Sequence, residues 1–367
     1  MPVARRMVTV QSRFQPYSVQ GFQSLRLALE IDNDPNRFFL IDQNVRNLYQ
    51  EAFSLIDERR ILSIESSESQ KTYGNIEPIF MRLLKAGFRK NCALTVIGGG
   101  VLQDIGGFVS SVLFRGISWD FIPTTLLAQC DSCVGSKSSV NIGSYKNQIG
   151  TFYPPRRINI PFDVLNTLPE YEIRSGLGEM IKLAIIAGEE PFTKLKEQLA
   201  RFKDDRSAIE EMVFDSLNFK KSYVEKDELD QGVRNLLNYG HTFGHAYESA
   251  TDYEIPHGIA VVLGIVTATY FSQELKLCAK GHFEEIHGFL REYYIPYQSH
   301  LLKSDLESVF SAMRRDKKNT DNRVHCILTR GLGKMEKVPL EMETQVRPLM
   351  IGFLKKMSEC DTAMPSR

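Results

Sequence analysis

The sequence predicts an α/β protein in two parts, an N-terminal Rossmann-like α/β domain over residues 1–168 and a mostly helical domain over residues 169–367. Three observations lead there. The chain has 367 residues, beyond the roughly 250–300 at which one hydrophobic core usually stops growing. Short apolar runs alternate with helical stretches through the first part, the pattern of a parallel sheet. After Pro169 helical periodicity takes over, and alternating β-branched runs become scarce.

Met7-Val-Thr-Val and Tyr17-Ser-Val alternate in polarity and read as a short strand pair. Phe38-Phe-Leu-Ile is a buried strand running into Asp42-Gln-Asn-Val, where ligand crevices form in open α/β sheets. A helical stretch from Arg46 to Leu55 leads to the strand Ile61-Leu-Ser-Ile, and a helix through Ile79–Lys85 leads to the strand Cys92-Ala-Leu-Thr-Val-Ile. In the second part, Tyr171–Ala187, Ser207–Val224, Thr242–Ser249, Ile259–Leu275 and Phe283–Tyr293 are helical, and Arg323–Leu328 is a strand. Without a long Gly/Ser linker, the two parts are expected to pack closely and share a cleft.

Composition narrows the class of partner. Hydrophobic residues make up 43% and charged residues 25%, with 45 basic side chains against 45 acidic ones. That balance supplies no global field for nucleic acid or an anionic membrane, so an anionic ligand needs a local cluster. Six cysteines are too sparse for a disulfide framework. The opening residues lack the apolar run of a signal peptide, and no apolar stretch has the length of a membrane span, so a cytoplasmic protein is expected.

Gly98-Gly-Gly-Val-Leu-Gln-Asp104 lies where a buried strand turns into a helix. Glycine there lets backbone approach a pyrophosphate while the helix N-terminus offers donors, though three glycines also make a plain tight turn. Between Pro123 and Asn147 the chain gathers Thr124, Thr125, Asp131, Lys137, Asn141, Lys146 and Asn147 around Gly135 and Gly143. Lysines supply charge for a phosphate and asparagine supplies directional hydrogen bonds. Cys130 and Cys133 have no second pair to complete a four-cysteine site and read as buried thiols.

Glu179 and Lys182 stand three apart on an apolar helix, so both project from one face and carry charge into a partly buried setting. His241 and His245 are spaced i, i+4, and His257 follows Pro256. The pattern lacks the glutamate of H-E-x-x-H, which disfavours a metalloprotease. Two histidines and a carboxylate leave an open coordination position, the pattern of catalytic zinc. Arg234, Asn238 and Lys220 lie nearby in sequence, and Arg314-Arg-Asp-Lys317-Lys318 forms a late basic cluster.

In this order and spacing, the segments from Asp42 to Gly333 resemble the 3-dehydroquinate synthase family of sugar-phosphate cyclases. The resemblance implies a dehydroquinate synthase-like fold with NAD contacts at Asp42, Asn44, Glu68, Lys71, Gly99, Gly100, Asp104, Thr124, Thr125, Lys146 and Thr167. It implies metal ligands Glu179, His241 and His257, for zinc or alternatively cobalt. Phosphate would be held by Lys137, Asn147, Lys182, Asn238 and His245, with Arg115 supplied by the second subunit of a homodimer. Asp131 would hold substrate hydroxyls, and Lys220, Arg234 and one of Lys317 or Lys318 the substrate carboxylate. His245, Asp230, Lys182 and Asp131 are the implied catalytic set.

The implied activity is a carbon–oxygen lyase reaction of the shikimate pathway to the aromatic amino acids, from 3-deoxy-D-arabino-heptulosonate 7-phosphate to 3-dehydroquinate and phosphate, with NAD not consumed. The chain departs from the family pattern at Gln103, Ser136 and Tyr145, each where glycine is usual, at Asp230 where glutamate is usual, and at Tyr239 where an apolar residue is usual. Arg234, Asn238, His245 and Lys220 favour a carboxylated substrate over sedoheptulose 7-phosphate or an amino analogue. A polyol oxidoreductase of the glycerol dehydrogenase type is the more distant alternative.

Overall fold

The computed structural model describes residues 6–30, 34–143, 145–202, 205, 207–315 and 323–362. Lys317 and Lys318, one of which was expected at the substrate carboxylate, lie outside the described residues.

Alternation places β1 (Met7–Val10) and β2 (Tyr17–Phe22) as an antiparallel pair, with α1 (Leu25–Glu30) after them. The apolar run then forms β3 (Arg37–Asp42). The expected helix at Arg46–Leu55 is instead two short helices, α2 (Gln43–Leu48) and α3 (Gln50–Phe53), because Tyr49 at φ −120°, ψ 37° breaks the helical path. There follow β4 (Ile61–Ile64), α4 (Ile76–Lys85), β5 (Ala93–Gly98), α5 (Gly100–Val112) and β6 (Ser118–Pro123). A hairpin of β7 (Lys137–Ile142) and β8 (Tyr145–Phe152) precedes β9 (Arg157–Pro161).

Seven strands form one sheet in the order β1-β2-β9-β6-β5-β3-β4, parallel apart from the β1–β2 pair. From β3 the chain moves outward to β4 and then returns to the other side of β3 as β5. The order reverses there, which opens a crevice beyond the carboxyl ends of β3 and β5. Helix α5 lies so close to the sheet that a Cβ on Gly106 would stand 2.3 Å from Val96 Cγ2. At the opposite end of the strands, buried Arg37 donates to Asp120 at 2.7 Å, and Arg156 and Arg157 bind the same carboxylate.

The second part is helical as expected, with α6 (Glu170–Ala187), α7 (Glu189–Phe202), α8 (Ala208–Val224), α9 (His241–Ala250), α10 (His257–Glu274), α11 (His282–Tyr294), α12 (Gln298–Lys303), α13 (Leu306–Arg315) and α14 (Arg347–Thr362). β10 (Arg323–Thr329) pairs with β11 (Met335–Glu341) in a separate ribbon. Helix α10 is apolar around its whole circumference and buried almost throughout, as a central helix must be.

The chain divides into two compact units, Met1–Gly176 with Ser207–Asp230, and Leu177–Arg206 with Gln231–Arg367. This differs from the single cut expected at residue 168/169. Helix α8 returns to the first unit because Phe214 packs on Gly21, leaving 3.1 Å for a Cβ there, and Lys220 is anchored on Asp131.

Candidate active site

In the first unit several residues expected to contact NAD stand near the ends of β3, β5 and β6. Asp42 ends β3 and caps α2, accepting from the backbone N–H groups of Asn44 at 2.8 Å and Val45 at 3.3 Å. Gly99 caps α5 and has no room for a side chain, since a Cβ would meet Thr125 Cγ2 at 2.9 Å. Thr124 donates its N–H to Gly98 O at 2.9 Å, fixing the turn after β6 against the glycine turn. Thr167 meets the Tyr49 hydroxyl at 3.0 Å.

Beside the glycine turn, Lys71 Nζ donates to Asp104 Oδ2 at 3.0 Å and to Asn147 Oδ1 at 2.8 Å, and pairs with Glu68 at 3.6 Å. Lys146 stands 3.9 Å from Glu68. Asn141 donates to Glu68 Oε1 at 2.8 Å and accepts the Asn147 N–H at 2.9 Å. Burial raises the Asp104 carboxyl above its ordinary range, against the opposing charge and hydrogen bond of Lys71. Ser139, absent from the residues expected here, joins this network through both its N–H and its hydroxyl.

A turn of π-helix at Ala128–Ser132 presents Asp131. Lys220 from α8 contacts Asp131 Oδ1 at 2.6 Å and donates to its backbone oxygen at 2.7 Å. Lys137 donates to Asp230 at 2.5 Å. Departures from the family pattern supply several of the braces around these groups. Gln103 and Ser132 exchange hydrogen bonds of 2.7 and 2.6 Å, tying α5 to the Asp131 turn. Ser136, at φ +63°, donates to buried Glu228, which also accepts from Ser12 Oγ at 2.7 Å and Arg13 N at 2.8 Å. Tyr145 is 67% exposed beside Lys146 and makes no such brace in the packing described. Phe114 and Arg115 both have positive φ, at 51° and 61°, and Arg115 is exposed. Cys130 and Cys133 are buried free thiols, and burial pushes Cys133 up to about 12.

The second unit builds a separate group of chemical side chains. Gly178 on α6 packs against Gly258 O, where a Cβ would stand at 2.3 Å, and Gly264 on α10 packs against Gly240 O, where it would stand at 1.9 Å. These contacts draw α6, α9 and α10 together. Glu179 Oε1 thereby lies 3.3 Å from His257 Nε2 and 3.7 Å from His241 Nε2. Lys182 pairs with Glu179 from the next turn, as the three-residue spacing predicted. His245 completes a group of three histidines whose nitrogens lie within 4.8 Å of one another. Arg234 is buried, and Asn238 donates to Asn235 O at 3.0 Å.

The donor set suits a divalent metal. Four ligands about 2.0–2.2 Å from zinc in a tetrahedron stand about 3.3–3.6 Å apart, and the two Glu179–histidine distances of 3.3 and 3.7 Å fit that spacing. Neither Glu179 oxygen has a hydrogen bond of ordinary geometry, although the side chain is fully buried. The two rings nearest Glu179 are also oriented from behind. His241 Nδ1 faces Tyr239 O at 3.3 Å, and His257 Nδ1 faces both Glu248 oxygens at 3.2 Å. These contacts hold a proton on Nδ1, so Nε2 is the nitrogen turned toward a cation. Burial alone would raise the Glu179 carboxyl and lower His257. Without a metal, the Lys182 and His257 charges instead hold Glu179 below the carboxylate range, and Glu248 with Glu179 lifts His257 to about 10, so a cation bound at Nε2 would displace the proton held there. Glu248 was missed in the sequence, although it falls on the same face of α9 as His241 and His245.

Comparison with known proteins shows the family and the fold. The 3-dehydroquinate synthase N-terminal domain matches residues 61–175 and the 3-dehydroquinate synthase C-terminal domain matches residues 176–319. The chain is 36% identical over 297 residues to a 3-dehydroquinate synthase of Alkaliphilus oremlandii, covering 79% of this chain and 81% of that one. It is 38% identical over 299 residues to that of Acidithiobacillus ferrooxidans, covering 80% and 82%. Its fold matches a 2-deoxy-scyllo-inosose synthase complexed with carbaglucose-6-phosphate, NAD+ and Co2+ at a TM-score of 0.81 and 21% identity, covering 96% of this chain and 100% of that one. The fold defines the dehydroquinate synthase-like class, with an α/β unit and a helical one. Within it, the chain belongs to the 3-dehydroquinate synthase family.

Proposed function

We propose that this chain is a lyase that converts 3-deoxy-D-arabino-heptulosonate 7-phosphate to 3-dehydroquinate and phosphate. The observation that carries the reading is the placement of Glu179 Oε1 at 3.3 and 3.7 Å from two imidazole nitrogens whose other nitrogens are already engaged. Glu179, His241 and His257 would hold the metal, zinc in this reading, and the crevice residues from Asp42 to Thr167 the NAD. When bound, NAD takes up and returns a hydride, and the metal polarises the alcohol that is oxidised.

The chain's own residues bind and move protons. Lys137, Asn147, Lys182, Asn238 and His245 hold the phosphate, with Arg115 from a partner subunit. The exposure of Arg115 and its left-handed backbone support that role. Lys220 and Arg234 neutralise the substrate carboxylate, and Asp131 accepts from substrate hydroxyls. Lys220 approaches Asp131 to 2.6 Å, which supports placing carboxylate and hydroxyls side by side. Once the neighbouring alcohol is a ketone, the adjacent C–H is acidic. Its proton passes to His245 or to the departing phosphate as the C–O bond breaks. The Lys137–Asp230 contact at 2.5 Å supports a proton-handling role for Asp230 beside the phosphate group.

A homodimer and a cytoplasmic location belong to the same reading, the latter supported by the free thiols of Cys92, Cys130, Cys133, Cys278 and Cys326. Phosphate release should be assayed on purified heptulosonate phosphate and sedoheptulose 7-phosphate, and NADH formation on glycerol with NAD. Release from the first without net NADH supports the reading. Release from sedoheptulose 7-phosphate alone assigns the other cyclase activity, and NADH accumulation with glycerol assigns an oxidoreductase.

A further inference from the structure

Ser139 occupies the centre of the polar network at the glycine turn. Its N–H donates to Asp104 Oδ1 at 3.1 Å, and its Oγ lies 2.9 Å from Asp104 Oδ2 and 2.8 Å from Asn147 Oδ1. A serine hydroxyl carries one proton, and both neighbours are acceptors. Turning the Asn147 amide over does not relieve the shortage. It would set the NH2 group against the Lys71 ammonium, which now donates to Asn147 Oδ1 at 2.8 Å. Lys71 cannot supply more, because its three donors already face Asp104, Asn147 and Glu68 at 3.0, 2.8 and 3.6 Å. One proton therefore serves either Asp104 or Asn147.

We infer that Ser139 is a positioning residue that couples the occupancy of Asp104 to that of Asn147 through its single hydroxyl proton. This rests on the proposed reading, in which Asp104 meets the dinucleotide and Asn147 the substrate phosphate. A ligand hydroxyl that donates to Asp104 relieves Ser139 of that carboxylate, and the serine proton turns to Asn147 Oδ1. The amide is then held by Lys71 and Ser139 at its oxygen, while the Asn147 backbone N–H donates to Asn141 Oδ1 at 2.9 Å and fixes the main chain that carries it. Its NH2 end is fixed for an anionic acceptor. Phosphate at Asn147 works back by the same route, since coupling between two sites is reciprocal.

The test measures NAD affinity calorimetrically on the full-length, metal-loaded protein, with and without saturating inorganic phosphate, for the wild type, Ser139→Ala and Ser139→Thr. Phosphate should tighten NAD binding by about 3- to 10-fold in the wild type, the worth of roughly one net hydrogen bond. Ser139→Ala should bring that factor to within about twofold of unity, and Ser139→Thr, which keeps the hydroxyl, should restore it. Thermal melting establishes that each variant is folded. Undiminished coupling in folded Ser139→Ala, or no restoration by threonine, overturns the inference. Asp104→Asn separates the two levels. If it leaves NAD affinity unchanged, the NAD assignment fails and the coupling with it. If it weakens NAD binding while Ser139→Ala keeps full coupling, only the role of Ser139 is lost.

Discussion

Glu248 is the residue through which the metal-site account is most open to challenge, because it touches no substrate in that account. Both of its oxygens lie 3.2 Å from His257 Nδ1, so it fixes the tautomer and the ring plane that present Nε2 toward Glu179. Glu248→Gln should weaken zinc binding by about 10- to 100-fold with the fold intact, as outer-shell partners of metal-bound histidines do. A chelator competition titration reads this directly, and unchanged affinity would remove Glu248 from the site. His245 tests the ligand set differently, since three histidines cluster within 4.8 Å but only two approach Glu179 at ligand spacing. His245→Ala should keep zinc affinity within about threefold while abolishing phosphate release, because its role lies with phosphate and proton. Loss of the metal in that variant would make His245 a ligand. At this scale His241, His245 and His257 stood out in the sequence because imidazole spacing is visible there. The partners Glu248 and Ser139 did not, since a single glutamate or serine gains meaning only from what it faces.

At the scale of elements, glycines set how closely the helices of the proposed metal site approach. Gly240 sits at φ +80° before α9, and a Cβ on Gly264 of α10 would stand 1.9 Å from Gly240 O. Gly264→Ala should destabilise the protein by about 1–3 kcal/mol, the usual cost of overpacking. It should also weaken zinc binding as α9 and α10 separate. Denaturant melts and the same zinc titration check both effects, and a variant with unchanged stability would show that the helices have slack. The strands β3, β4 and β5 were legible because each is an apolar run bounded by turn residues, whereas β6, with Ser118 and Asp120 in it, was not read. The hairpin β7–β8 was not, because much of β8 is exposed and polar and offers no apolar period. The break at Tyr49 also escaped notice, as neither glycine nor proline marks it.

For the whole molecule, the sequence conveyed an α/β part and a helical part, but not that α8 rejoins the first unit after α7. The reason is physical: helical periodicity reports which face of α8 is buried and says nothing of what buries it. In the proposed reading NAD lies in a crevice of the first unit and the metal among three helices of the second, so each component should be removable by itself. The most direct test measures phosphate release from 3-deoxy-D-arabino-heptulosonate 7-phosphate with NAD present, before chelation, after exhaustive chelation and after zinc is returned. Release should be lost on chelation and recover with zinc, with no accumulation of NADH at any stage. Release at full rate from protein verified to be metal-free would contradict this reading.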